Sequence, residues 1–115
     1  MRTRADADPM IDPTDTETTA RRYAGDHDLR HPLISPLYAD LTGIPPLLIH
    51  VGDAEVLLDD ATRLADRSLA AGVAVELEVW PEAFHVFQIM VGLVPEADEA
   101  VGRAAAWMAK RIAAD

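Results

Sequence analysis

Residues Leu47, Leu48, Ile49, His50 and Val51 form a nearly unbroken apolar run, closed by Pro46 on one side and Gly52 on the other. A strand with one wet face would alternate, so a run of this kind asks for cover on both faces. That is the situation of a strand inside a parallel sheet. Parallel pairing demands a crossover, and the next residues supply one. In DDATRLADRSLAAG, Ala61, Leu64, Ala65 and Ser68 recur at helical spacing, and Gly72 stands where the C′ residue of a helix belongs. Val73, Val75, Leu77 and Val79 then alternate with Ala74, Glu76 and Glu78 until Pro81. This period of two marks a strand with one wetter face, near a sheet edge. From about Glu96 to Ala113, the residues Val101, Ala104, Ala105, Met108 and Ile112 trace an apolar stripe along a closing helix. The expected fold class is therefore α/β, with a βαβα unit over residues 46–115, a parallel sheet and a right-handed crossover.

Residues 1–45 read differently: polar, rich in Thr and Asp, and broken by Pro9, Pro13, Pro32, Pro36 and Pro45. One short helix is expected in this irregular segment. It starts at a capping box of Thr14 and Glu17 and runs to about Tyr23, with Gly25 as its stop.

Parallel strands bring their C-terminal ends to one edge of the sheet, where open α/β folds place their ligand sites. GDAEVLLDD follows the first strand and PEAFHVF the second, so carboxylates and a histidine arrive at the same edge. An acid that accepts a hydrogen bond from one ring nitrogen of a His fixes its tautomer and stabilises its imidazolium form. Glu55 or Asp53 is placed to do this for His85. The plainer alternative is that these acids cap the following helix, as Asp59 and Asp60 also could. His50, inside the apolar run, reads as a satisfied core residue, and His27 and His31 as solvated loop residues. The four histidines lack the convergent spacing of a metal site, so no metal is expected. Trp107 and Met108 read as packing residues of the last helix.

Charge removes several function classes. Twenty Asp and Glu stand against ten Lys and Arg, a net charge of −10 with no basic stripe. Nucleic acid is excluded by that balance, and so is adsorption to anionic membranes. Without cysteine there is neither a disulfide framework nor thiolate chemistry. No apolar run approaches the ~18 residues of a membrane span. The opening MRTRADADPM lacks the apolar core of a secretory signal, so a cytoplasmic protein is expected.

Three motifs carry a resemblance: SPLYADL at residues 35–41, GDAEVLLDD at 52–60, and His85-Val86-Phe87 after Trp80-Pro81. Together with RADADPM near the start, they make the chain resemble the C-terminal part of the hormone-sensitive-lipase-like esterases, a branch of the α/β-hydrolase fold. The resemblance covers essentially the whole length. It implies a carboxylic-ester hydrolase with a triad in the order Ser, acid, His, acting on a small ester without a cofactor. The family's acid opens an acid-x-L-x-D motif, which is Glu55-Val56-Leu57-Leu58-Asp59 here. Glu55 thus matches the triad acid, Asp53 does not, and His85 matches the triad base. Phe84 and Phe87 would then wall the imidazole.

The resemblance also has a gap. No G-x-S-x-G elbow is present, and neither is an HGGG-type oxyanion loop. Ser35 and Ser68 are the only serines, one in a Ser-Pro turn and one in the expected central helix. The expectation is a single incomplete domain holding two of three triad members. Its partner would be a complementary N-terminal hydrolase segment. The alternative is a non-catalytic truncated remnant that binds a partner or self-associates through its open sheet edges.

Overall fold

The computed structural model describes residues 8–113. These divide into two compact units, one ending at His85 and the other beginning at Val86. In the first unit, β1 (Leu47–Gly52) pairs in parallel with β2 (Val75–Trp80), from Leu47 opposite Val75 to Gly52 opposite Trp80. The crossover is a helix, so the described residues form a small parallel sheet with helices, as the expected α/β class requires.

The helix N-terminal to the sheet, α1, spans Pro13–Ala24. It starts one residue before the expected cap, with Pro13 first, where a missing N–H costs nothing. The capping box itself involves a Thr14 side chain outside the described residues. Gly25 ends α1 as expected, at φ +58°, donating its N–H to Arg21 O at 3.0 Å. The crossover helix α2 runs Leu58–Ala70 and closes in a Schellman motif. Gly72, at φ +80°, donates to Leu69 O, and Val73 donates to Ser68 O at 2.9 Å. That second bond takes Val73 out of the ladder, so β2 begins at Val75 instead of Val73.

Two burial expectations are corrected. β1 is half-buried from Leu47 to His50, and only Val51 and Gly52 are buried. Among the described residues β1 has a neighbour on one side only, so the cover its apolar run asks for is incomplete. In β2 the wet and dry faces exchange near the end, where Val79 is 45% exposed and Glu78 is half-buried. Glu78 turns inward because its register partner is His50, whose Nε2 lies 3.3 Å from Glu78 Oε2. His50 is shielded as its position in the run implied, but Nε2 faces the Glu78 carboxylate without a hydrogen bond, so the expectation of a satisfied core histidine is corrected. Its ring also lies 5.8 Å from that of Trp80.

The second unit holds a 3-10 turn (Phe87–Met90) packed on α3 (Pro95–Ile112). Asp98 ties them, accepting the Gly92 N–H at 2.7 Å. Ala97 and Ala100 are buried, but Val101, Met108 and Ile112 of the apolar stripe are 42%, 52% and 76% exposed. Met108 is therefore not a packing residue in this chain. Periodicity identifies an apolar face, and only tertiary structure decides whether anything covers it. Trp107 is half-buried under the Arg111 guanidinium, 3.5 Å above its ring.

Candidate active site

The two loops at the C-terminal edge of the sheet are joined by backbone bonds that continue the pairing past the strands. Asp53 N–H donates to Trp80 O at 3.0 Å, and Ala54 N–H to Ala83 O at 3.3 Å. The approach is so close that a Cβ on Gly52 would stand 1.9 Å from Ala83 O, so only glycine fits there. Asp53 completes the link by accepting the Glu82 N–H at 2.7 Å, at a Glu82 φ of +56°. Asp53 is thus occupied as a clamp between loops. Neither it nor Glu55 caps α2, whose N-cap Leu57 makes no side-chain bond. Asp59 and Asp60 lie in the first turn, where their charge favours the positive helix end.

Glu55 is 5% exposed, and its two oxygens face different ways. Oε2 accepts the Gly52 N–H at 3.2 Å, and Oε1 lies 3.6 Å from His85 Nδ1. That separation is an ion-pair distance just outside hydrogen-bond range, and Nδ1 is buried with no hydrogen-bond partner among the described residues. Acid–His contacts of this kind are commonly long before substrate binds. The His85 side chain is 30% exposed, so the ring is reachable while its Nδ1 side is shielded. Immediately after it, Val86 adopts φ +52°, a strained conformation for a β-branched residue. Phe84 is half-buried in the first unit and Phe87 is buried in the second, so the aromatic bracket divides between them.

Asp8, within the RADADPM stretch, had no role assigned to it from the sequence. Its Oδ2 accepts the Val56 N–H at 2.9 Å across 48 residues, and its Oδ1 accepts the amides of Met10 and Ile11 at 2.8 and 2.9 Å. Burial pushes the carboxyl upward, but those three amides and the charge of His85 outweigh it and hold its pKa below the usual carboxylate value. Only an Asp-x-x amide spacing around Pro9 hinted at this local turn, and nothing in the sequence pointed to Val56.

Neither serine belongs to the site. Ser35 precedes the 3-10 turn Pro36–Tyr38, and Ser68 is fully buried within α2. His27 and His31 are exposed, with rings 6.2 Å apart. Among the described residues no cluster of His, Asp and Glu is arranged to hold a metal, and no helix is long and apolar enough to cross a membrane.

A family model described as the alpha/beta hydrolase fold matches residues 1–89. An acetyl-hydrolase of Streptomyces hygroscopicus is 45% identical over 106 residues, which are 92% of this chain and 36% of that protein. The putative acetyl-hydrolase LipR of Mycobacterium tuberculosis is 33% identical over 94 residues, 82% of this chain and 30% of LipR. Among solved structures, a hormone-sensitive lipase from a metagenome library superposes with a TM-score of 0.92 at 44% identity, covering 96% of this chain and 38% of that one. An esterase of the bacterial hormone-sensitive lipase family gives 0.94 at 43% identity, covering 96% and 37%. The chain spans about a third of the length of these relatives.

Proposed function

Because the chain belongs to the alpha/beta hydrolase fold family, we propose that it carries the acid and the base of a serine carboxylic-ester hydrolase. The observation that carries this reading is the approach of Glu55 Oε1 to His85 Nδ1 at 3.6 Å, at the edge of the sheet where both strands end. Glu55 holds the ring so that Nδ1 bears its proton and Nε2 is the free base. His85 then takes the proton of a serine hydroxyl as that oxygen attacks the ester carbonyl. It returns the proton to the departing alcohol, and repeats the exchange with water to release the acid. The serine and the oxyanion donors come from outside these 115 residues, since no G-x-S-x-G occurs within them. They are supplied by further sequence of the same polypeptide or by a complementary segment. The substrate is a small ester, as the names of the relatives imply for those proteins.

The test separates the pair from the nucleophile. The 115-residue chain alone is expected neither to hydrolyse p-nitrophenyl esters nor to react with a fluorophosphonate probe. Joined to or mixed with a family segment bearing the elbow, it gains activity that Glu55→Gln and His85→Ala remove. Labelling of Ser35 or Ser68, or full activity in either variant, overturns the assignment.

A second reading, a non-catalytic module that self-associates or binds a partner, draws support from one observation. The sheet has two strands among the described residues, each with an unpaired edge. Sedimentation of the isolated chain distinguishes the readings. Stable oligomers that persist when the complementary segment is added favour the module.

A further inference from the structure

We propose that Asp8 is a positioning residue for the Glu55–His85 pair, fixing the peptide that carries Glu55. This rests on the hydrolase role proposed for the pair. The geometry starts from the peptide group between Glu55 and Val56, which is held at both ends. Its N–H donates to Asp8 Oδ2 at 2.9 Å, and its carbonyl accepts the Leu58 N–H at 3.3 Å. With the backbone plane pinned and Oε2 engaged by the Gly52 amide, Glu55 has Oε1 left to face His85. A carboxylate held by three amides cannot swing away to solvent without breaking all three. Preorganisation of this kind is what keeps an acid–base pair within productive geometry.

The experiment uses two variants of the full chain. Asp8→Asn keeps an acceptor for the Val56 amide and removes the charge, and Asp8→Ala removes both. The Val56 amide is followed by hydrogen exchange in each variant, and the assembled hydrolase is assayed with p-nitrophenyl esters, with Glu55→Gln as an independent report on the pair itself. Val56 amide exchange is expected to accelerate about tenfold in Asp8→Ala but little in Asp8→Asn. In the assembled hydrolase, Asp8→Ala is expected to lower kcat about tenfold with KM little changed, and Asp8→Asn to restore it, since Asn keeps an acceptor for the Val56 amide. Val56 exchange unmoved by Asp8→Ala overturns the proposal. So does a kcat unmoved by Asp8→Ala while Glu55→Gln abolishes activity. Activity unmoved by Glu55→Gln contradicts the underlying pair instead, so the two failures are distinguishable.

Discussion

Two acid–histidine pairs stand on this small sheet, and only one has the makings of a catalytic site. His50 and Glu78 are register partners within the ladder, 3.3 Å apart, with the His50 side chain 9% exposed. Glu55 and His85 lie beyond the strand ends, 3.6 Å apart, with the His85 side chain 30% exposed. Distance alone would favour the first pair. What separates them is how each is held. His50 and Glu78 are placed by strand backbone, and the His50 ring is almost wholly shielded. Glu55 is fixed by amides from Gly52 and, through its own peptide group, by Asp8, while His85 sits on the loop edge next to a strained Val86. An acid clamped from several sides beside a reachable base is an arrangement suited to proton transfer. A strand-bound pair is suited to specifying register.

That contrast is open to attack, most strongly through catalysis. In the assembled hydrolase, Glu55→Gln is expected to lower kcat about ten-thousand-fold, the effect of losing the group that sets the imidazole tautomer. His50→Gln is expected to leave kcat essentially unchanged under the same p-nitrophenyl ester assay. Comparable losses in both variants would erase the distinction between the pairs.

Next in size is the joint between the loops. Gly52→Ala drives a Cβ into the Ala83 carbonyl and should cost about 2–3 kcal/mol in urea unfolding, because backbone on both sides has to move. A smaller effect is expected from the structural pair. Glu78→Ala removes the carboxylate 3.3 Å from the buried His50 Nε2 and should cost about 1–2 kcal/mol, with no effect on the His85 titration. If that substitution shifted His85 instead, the two pairs would be one network.

The smallest effect concerns pH. Asp8 has its folded pKa lowered below the ordinary value of 3.8, so its stabilising contribution is complete above that value. It is lost as pH falls through the lowered folded value. Asp8→Asn should therefore flatten the acid side of the stability profile and leave its slope above pH ~5 unchanged. A slope altered only near neutrality would assign the effect to another group.

Much of this organisation is legible in residues near one another in sequence. The run from Leu47 to Val51, the helical spacing to Ser68 with Gly72 after it, and the alternation up to Val79 specify a strand, a crossover and a parallel partner. From those follows the delivery of Glu55 and His85 to one edge. Asp8 was not legible, because its bond to Val56 spans 48 residues and leaves no periodic trace. The clamp made by Asp53 was equally hidden: GDAE reads as well for a helix cap as for a bridge to Glu82. Exposure of Met108 and Ile112 ran against a clear stripe for the same reason, since amphipathicity records a face and not its cover.

The sequence by itself determined the α/β class, the order of elements, and the arrival of carboxylates and a histidine at one sheet edge. These depend on hydrogen-bonding periods of two and 3.6 residues and on turn chemistry, which act over a few positions. Tertiary structure alone decided which carboxylate faces His85, which one clamps the loops, and which His is sealed inside the ladder. Those outcomes turn on separations of a few tenths of an ångström between residues tens of positions apart. Only the packed backbone, with Gly52 against Ala83 and Asp8 on the Val56 amide, sets separations that fine.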